Sequence, residues 1–337
     1  MALTRILIVK LSSLGDVVHA LPVAGALRRR FPGASISWLA GPAAAPVVTM
    51  CRHVHHLLVW RPGRRPRLQM LSELRALRPQ VSLDLQGLVR TSGLAWLSGA
   101  RWRVGFRSWQ EGGLALCNLP AISPRSDLHA VDAYLEFARY LGANQAGVDY
   151  GLRLPEKARE YGARAIGSGG SEKRTPAVAL LPGARWATKK WPARHFAAVA
   201  AMLGERGVRC VVLGGLDERE AGARIAAAAP GTVCDFSGRT SLAQSAGVMI
   251  NCALAVGNDS GPMHLAVALG VPVIALFGPT DPVRTGPHGS GHTVLQAAVR
   301  CVGCRRRRCR VPCMETISPE RVLEAALQRL ARSREHA

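Results

Sequence analysis

A chain of 337 residues, 48% hydrophobic and with a mean hydropathy of +0.10, is that of a globular protein long enough for two domains, each with its own core. Its formal charge of +22 favours an anionic partner: a phosphorylated substrate, an acidic membrane surface or nucleic acid. The excess is spread through both halves, aromatics are only 5% and no nucleic-acid motif is present, which excludes a basic tail and argues against a nucleic-acid binder.

No apolar run reaches membrane-spanning length, and the N-terminus enters a strand directly instead of a signal peptide, so a cytoplasmic protein is expected. The first half repeats a strand–helix pattern. Residues 6–10 predict a strand, 16–30 a helix and 35–39 a strand, followed by the pairs 54–60 with 68–77 and 81–85 with 88–97. A strand near 103–106 and an amphipathic helix over 128–141 close this half. The loop after the first strand contains neither G-x-G-x-x-G nor a Walker A lysine, so a dinucleotide fingerprint and a P-loop are absent. Asp16 stands where the first helix begins. It reads as a general base, with His19 on the same helix face, or as a helix cap.

Between the halves, a segment with little apolar pattern ends in Gly-Ser-Gly-Gly-Ser at 167–171, a linker or long surface loop. The second half resumes the alternation, with strands at 177–181, 208–213 and 233–236 and helices at 193–206, 217–228 and 242–250. A strand at 254–257 stops at the polar turn Asn258-Asp259-Ser260-Gly261. A helix carrying Met263, Leu265, Ala266 and Leu269 follows, then a strand at 271–277 and the loop 278–282. The last helix, 319–330, is compatible with packing on either half. Alternating elements imply parallel sheets with right-handed crossovers.

The turn at Asp259 and Ser260 leaves N–H groups and the positive end of a helix dipole free for a phosphate, or is an ordinary capped helix. The polar loop 278–282 leaves the next strand, and two such loops at adjacent carboxyl ends mark a ligand crevice. The loop 181–192 carries Arg185 and Lys189, well placed to neutralise a diphosphate. The chain has five lysines against a large excess of arginines, which suggests that the compact ammonium is wanted at Lys189. Glu218 follows a strand and Gly214-Gly215; it reads as a ribose ligand or as an acid serving a helix start. There is no D-x-D and no H-E-x-x-H, which favours metal-free chemistry. Of nine cysteines, Cys51, Cys117, Cys210, Cys234 and Cys252 are scattered through apolar segments and read as small core residues. Cys301, Cys304, Cys309 and Cys313 form a C-x2-C-x4-C-x3-C cluster. Its spacing could hold zinc, but four intervening arginines are unusual there; plain free thiols are favoured, a structural metal or a redox-labile cluster stays open, and no residue is assigned to a metal.

Taken together, KLSSLGDVVHALP (10–22), SLDLQGL (82–88), LPGARWATKKWP (181–192), FSGRTSL (236–242) and GNDSGPMHLAVALGVPVIALFGPTDP (257–282) resemble the lipopolysaccharide heptosyltransferases of glycosyltransferase family 9. The resemblance implies an α/β fold of GT-B type, two facing Rossmann-like doubly wound domains with parallel sheets. Residues 1–155 would bind the acceptor; residues 156–337, including the last helix, would bind the nucleotide sugar. It implies an inverting, metal-independent transferase that moves heptose from ADP-heptose to the Kdo-bearing inner core, with no cofactor. The partners are then the donor, an anionic glycolipid acceptor such as Kdo-lipid A, and the cytoplasmic face of the inner membrane, where the enzyme would be peripheral. Carried over by position, Asp16 is the general base and Lys189 holds the diphosphate with Arg185 nearby. Glu218 binds the ribose, Thr240 lines the nucleotide pocket, and Asp259, Ser260, Gly261 and His264 form the sugar and diphosphate cradle. Ser13, Gln86 and Arg107 fall on the acceptor side. The GDVVHALP opening leans toward addition of the first heptose. A family member using another nucleotide sugar or acceptor, or a GT-B nucleotide-sugar epimerase, stays open. The loop 61–67, the region 102–109 and the cysteine-rich tail match no particular member and are the segments expected to select the acceptor.

Overall fold

The computed structural model describes residues 3–61, 63, 67–106, 116–119, 122–123, 127–144, 147–167, 176–301 and 303–335. The chain divides into two compact units, Met1–Arg153 and Leu154–Ala337.

In the first unit, five parallel strands, β1 (Arg5–Val9), β2 (Ser35–Ala40), β3 (His56–Val59), β4 (Val81–Asp84) and β5 (Trp102–Gly105), lie in the order β3-β2-β1-β4-β5. They alternate with α1 (Leu14–Arg30), α2 (Ala45–Thr49), α3 (Arg67–Ala76) and α4 (Val89–Leu97), and α5 (Ala130–Tyr140) packs on α1. Central β1 is apolar on both faces because both are covered. Leu7 and Val9 meet Met70 and Leu74 of α3 and Leu94 and Ala95 of α4, while Ile6 and Ile8 are equally buried on the alternate face. Helix α1 starts two residues before the expected position. Ser13 is its N-cap, and Asp16, at the third helical position, accepts from the Ser13 backbone N–H (3.0 Å) and hydroxyl (2.6 Å).

The second unit is a six-stranded parallel sheet of β6 (Ala177–Leu181), β7 (Arg209–Val212), β8 (Val233–Asp235), β9 (Leu254–Asn258), β10 (Val273–Phe277) and β11 (Thr293–Gln296), ordered β11-β10-β9-β6-β7-β8. Its helices are α6 (Glu156–Ala165), α7 (Ala193–Gly204), α8 (Arg219–Ala228), α9 (Leu242–Met249), α10 (Gly261–Ala268), the short α11 (Pro282–Thr285) and α12 (Pro319–Glu335). Val178, Leu180, Val256 and Ile274 pack under Phe196 and Leu203 of α7 and Val322 and Ala326 of α12, which places the terminal helix on this unit.

Part of the segment expected to be a linker is instead helix α6. Its contact with α9 is made of backbone: a Cβ on Gly162 would stand 1.9 Å from the Gly247 carbonyl oxygen, and one on Gly247 1.9 Å from that of Ala158. A seam of Gly and Ala gives little hydrophobic periodicity to read. Residues 168–171 of the expected linker lie outside the described residues. Strand β10 begins after Pro272, which has no N–H for the ladder but whose carbonyl still accepts from Ala255. Edge strand β11 and helix α2 were not anticipated. No helix among the described residues is long and apolar enough to cross a membrane.

Candidate functional site

The chain leaves β6 toward β7 and β8 on one side, whereas β9, β10 and β11 build the other, so the order reverses between β6 and β9. Loops leaving the carboxyl ends of such neighbouring strands frame a crevice. At that point Asn258, fully buried at the end of β9, uses both ends of its amide. Its Oδ1 accepts from the Trp191 N–H at 3.0 Å, and its Nδ2 donates to the Pro182 carbonyl at 2.8 Å. One side chain therefore fixes both ends of the loop 182–191 against β9. Trp191 is itself buried, its indole N–H donating to the Ile317 carbonyl at 2.9 Å.

The loop so held carries Lys189 to Asp259. The ammonium donates to Asp259 Oδ2 at 2.6 Å and sits over the Trp186 ring, 4.7 Å from its centroid, while His264 Nε2 lies 3.2 Å from Asp259 Oδ1. Asp259 is 4% exposed. Burial by itself would raise its carboxyl, but the His264 hydrogen bond and charge, together with Lys189, outweigh it and hold the group well below the usual carboxylate range. Lys189, expected to hold the diphosphate, and Asp259 and His264, expected in the sugar and diphosphate cradle, thus form one ion-paired unit. Asp259 is occupied in holding Lys189, and the remaining ammonium donors are what the unit can offer an anion.

Ser260 caps α10 with its backbone extended, and its hydroxyl makes no cap bond. The Oγ of Ser260 and the Oγ1 of Thr280, on the loops after β9 and β10, are buried without a hydrogen-bond partner. Buried hydroxyls left unpaired are costly and call for an explanation, which a ligand would supply. Gly261 opens α10, whose first turn points N–H groups past Ser260. Thr280, Trp186 and Asn258 lie within the motifs quoted from sequence but were assigned no roles there, because what each does depends on partners across the fold.

Glu218 closes a 3-10 turn after β7. Its Oε2 accepts from the Gly215 N–H at 2.9 Å, and Oε1 is 3.7 Å from Lys190 Nζ. Its side chain lies where side chains at Gly183 and Gly214 would otherwise be, since Cβ atoms there would come within 3.0 Å and 2.6 Å of it. The glycines make room for the carboxylate. Arg185 is exposed and makes no ion pair among the described residues. Thr240 is half-buried before α9, its hydroxyl 2.8 Å from that of Ser245.

In the first unit, Asp16 is half-buried at the start of α1 and acts as part of the cap. Both sequence readings remain compatible, because one carboxylate oxygen serves Ser13 and the other is not used by it. His19 packs edge-on against His129. Gln86, expected on the acceptor side, directs its Oε1 to the N–H groups of Leu11 and Ser12, 3.2 Å from each, so it shapes the Asp16 loop. Asp84 organises the next loop, accepting from the Gln86 and Gly87 N–H groups and the Thr91 and Ser92 hydroxyls. Its burial nevertheless pushes the carboxyl up. Lys10 is buried, donating to the Leu85 carbonyl at 2.9 Å and lying over Tyr134. Arg107 lies outside the described residues. A cavity of about 300 Å³ is lined by Val59, Trp60, Met70, Val89, Leu94 and Leu97, with Arg61 and Arg90 also on its wall.

The family model described as glycosyltransferase family 9 (heptosyltransferase) matches residues 67–315. Lipopolysaccharide heptosyltransferase 1 of Pseudomonas aeruginosa is 31% identical over 320 residues, covering 90% of this chain and 87% of the relative. Lipopolysaccharide heptosyltransferase 2 of Escherichia coli is 27% identical over 84% of this chain and 85% of its own length. The structure of E. coli ADP-heptose lipopolysaccharide heptosyltransferase II superposes with a TM-score of 0.83 at 25% identity, covering 99% of this chain and all of that one.

Proposed function

Since the chain belongs to glycosyltransferase family 9, the heptosyltransferase family, we propose that it moves heptose from ADP-heptose to the Kdo-bearing inner core of lipopolysaccharide, inverting the anomeric centre without a metal ion. The observation that carries the donor assignment is the Lys189 ammonium, held by Asp259 over Trp186 at the switch point of the second sheet. Unit 2 is then the donor-binding domain and unit 1 the acceptor-binding domain.

The leaving group is ADP, whose phosphate takes up the electron pair of the breaking anomeric C–O bond. A group that already carries charge needs cations and N–H donors more than a general acid. Lys189 and exposed Arg185 provide the cations, and the amino end of α10 with the unpaired Ser260 and Thr280 hydroxyls provides the donors. Asp259 and His264 act as positioning residues that hold Lys189 in place. Glu218 takes the ribose hydroxyls through its second oxygen, and Thr240 lines the nucleotide pocket.

Asp16 takes the proton of the acceptor hydroxyl as its oxygen bonds to the anomeric carbon from the face opposite ADP. It is released as the acid and later returns the proton to water. Its hydrogen bond from Ser13 keeps the carboxylate oriented. The acceptor is an anionic amphiphile, which suits an apolar cavity with Arg61 and Arg90 on its wall. Ser13 and Arg107 belong to this side, with Gln86 supporting the loop. Work on such an acceptor places the enzyme at the cytoplasmic face of the inner membrane. Addition of the first heptose to Kdo is favoured by the 31% identity with a heptosyltransferase 1.

The test is transfer from ADP-heptose to Kdo-lipid A with EDTA present and no metal added, scored by the mass of the glycolipid. One added heptosyl mass is expected. ADP binding without product on Kdo-lipid A, but with product on a heptosylated core, would move the acceptor outward by one sugar. Product only after metal addition would overturn the metal-free chemistry.

A further inference from the structure

The segment from Gly303 to Arg308 joins the two donor loops of the second unit, and its backbone is fastened to both. The Gly303 and Arg305 N–H groups donate to the carbonyls of Gly278 (3.3 Å) and Pro279 (2.6 Å) on the loop after β10. The Thr188 hydroxyl, on the loop after β6, donates to the Arg306 carbonyl at 2.9 Å. Arg305 takes a φ of +58°, a left-handed conformation that disfavours a side chain, at the point where its N–H meets Pro279. Four exposed arginines, Arg305 to Arg308, are thereby held as a strap between the loop of Lys189 and the loop of Thr280.

The charge of this strap is unanswered within the chain. None of the four arginines makes an ion pair among the described residues. The Arg307 guanidinium lies 5.0 Å from the centroid of the Trp186 ring, which also carries the Lys189 ammonium at 4.7 Å. The two cations are therefore no farther apart than about 10 Å, roughly a Debye length at moderate salt. Like charges at that range repel, and an anion drawn to both relieves the repulsion.

The donor site needs such a charge. Lys189 is matched by Asp259 at 2.6 Å, so that pair brings donors but no net charge to the crevice, and the amino end of α10 adds about half a unit. A sugar-linked nucleoside diphosphate carries about two negative charges, and cleavage of the anomeric C–O bond leaves about one more on the terminal phosphate. On the other side of the strap, the Thr280 hydroxyl is a buried donor without a hydrogen-bond partner, its residue 7% exposed, and a phosphate oxygen would satisfy it.

We propose that the segment 303–308 is a third wall of the donor site, and that the Arg307 guanidinium binds the terminal, sugar-bearing phosphate of the nucleoside diphosphate. The proposal rests on the donor reading of the second unit. It moves to the donor side a part of the tail that was expected to select the acceptor. A guanidinium presents paired N–H donors in the plane that two phosphate oxygens require. As the electron pair of the breaking C–O bond passes to that phosphate, the attraction of Arg307 grows, which favours the departing ADP over the intact donor. Arg305, Arg306 and Arg308 raise the local potential around it.

The experiment is calorimetric titration of the full chain with ADP and with AMP, which lacks the terminal phosphate. Wild type is compared with Arg307→Gln, Arg307→Met and Arg310→Gln. Arg307 is exposed, so its replacements should keep the wild-type far-UV circular dichroism. Both should bind ADP about ten- to a hundredfold more weakly, while AMP affinity changes less than about threefold. Arg310→Gln, at an exposed position past the strap, removes the same net charge and should bind ADP as wild type does. Equal ADP affinity in Arg307→Gln and wild type would overturn the proposal. So would a loss of the same size for AMP, or full affinity in Arg307→Met, because a side chain that only props the Trp186 ring serves both nucleotides alike and without charge. An equal loss in Arg310→Gln would reduce the effect to net charge and overturn it as well. A wild-type chain that binds no ADP would remove the donor reading and this proposal together, whereas ADP bound equally by wild type and Arg307→Gln removes this proposal alone.

Discussion

Replacing Lys189 with methionine keeps the length of the side chain and removes its charge, which leaves Asp259 buried with His264 as its remaining partner. Removing one member of a buried ion pair costs about 3–5 kcal/mol. Here His264 stays 3.2 Å from the carboxylate, and the lysine side chain is 17% exposed, so some solvent reaches the gap. A loss of about 2–3 kcal/mol at pH 7 is the expected result. Asp259→Asn should cost less, about 1–2 kcal/mol, because the ammonium it strands can turn to water. In the double variant the costs should fall short of their sum by about 2 kcal/mol, measured by urea unfolding with tryptophan fluorescence and circular dichroism compared. The pH dependence has a definite sign. The Asp259 carboxyl is depressed in the folded chain, so its stabilisation is complete above its ordinary value of 3.8 and is lost as pH falls through the lower folded value. The deficit of Lys189→Met should therefore be full at neutral pH and shrink in acid. Additivity within about 0.5 kcal/mol, or a deficit unchanged down to the acid limb, would refute the view that Asp259 exists to hold Lys189.

Asp16→Asn should lower kcat by about 10²–10⁴ with ADP affinity unchanged, read by glycolipid mass spectrometry and calorimetry; full activity would remove the base assignment. It is preferable to alanine, which also deletes the cap accepting from Ser13. Glu218→Ala should weaken ADP about tenfold by calorimetry, and Gly214→Ala should do the same indirectly, because its Cβ would meet that of Glu218 at 2.6 Å. Gly162→Ala should destabilise the second unit by about 1–3 kcal/mol or more through its clash with Gly247, whereas Gly33→Ala, with nothing within 4 Å, should be near neutral; thermal melts compare the two.

What the sequence makes legible is what local period encodes. The apolar run 177–181 matches β6 to the residue, and the loops at strand ends were located because each apolar run stops at a polar turn. Lys189 stood out as one of five lysines. What stayed hidden depends on partners far apart in the chain. Asp259 and Lys189 are 70 residues apart and meet only because β9 lies beside β6, and Asn258 reaches Pro182 for the same reason. Gln86 looked like a ligand because nothing local shows that it caps the N–H groups of Leu11 and Ser12. Helix α6 was hidden by chemistry: its contact with α9 is backbone against backbone, and glycines leave no hydrophobic trace.

The two-ended use of the Asn258 amide has a consequence for the thermodynamics of substrate uptake. A carboxamide can donate and accept at once; aspartate would face the Pro182 carbonyl with a second acceptor, and leucine would leave both backbone groups unpaired. Because the clasp forms on folding, the segment carrying Lys189 is ordered before any nucleotide arrives. Its ordering entropy, about 1–2 kcal/mol per residue, is then met by the folding transition and not charged to the donor. Nucleotide uptake at this loop should resemble a key entering a cut lock: a heat-capacity change set by the surface the ligand itself covers, with no added signature of chain folding.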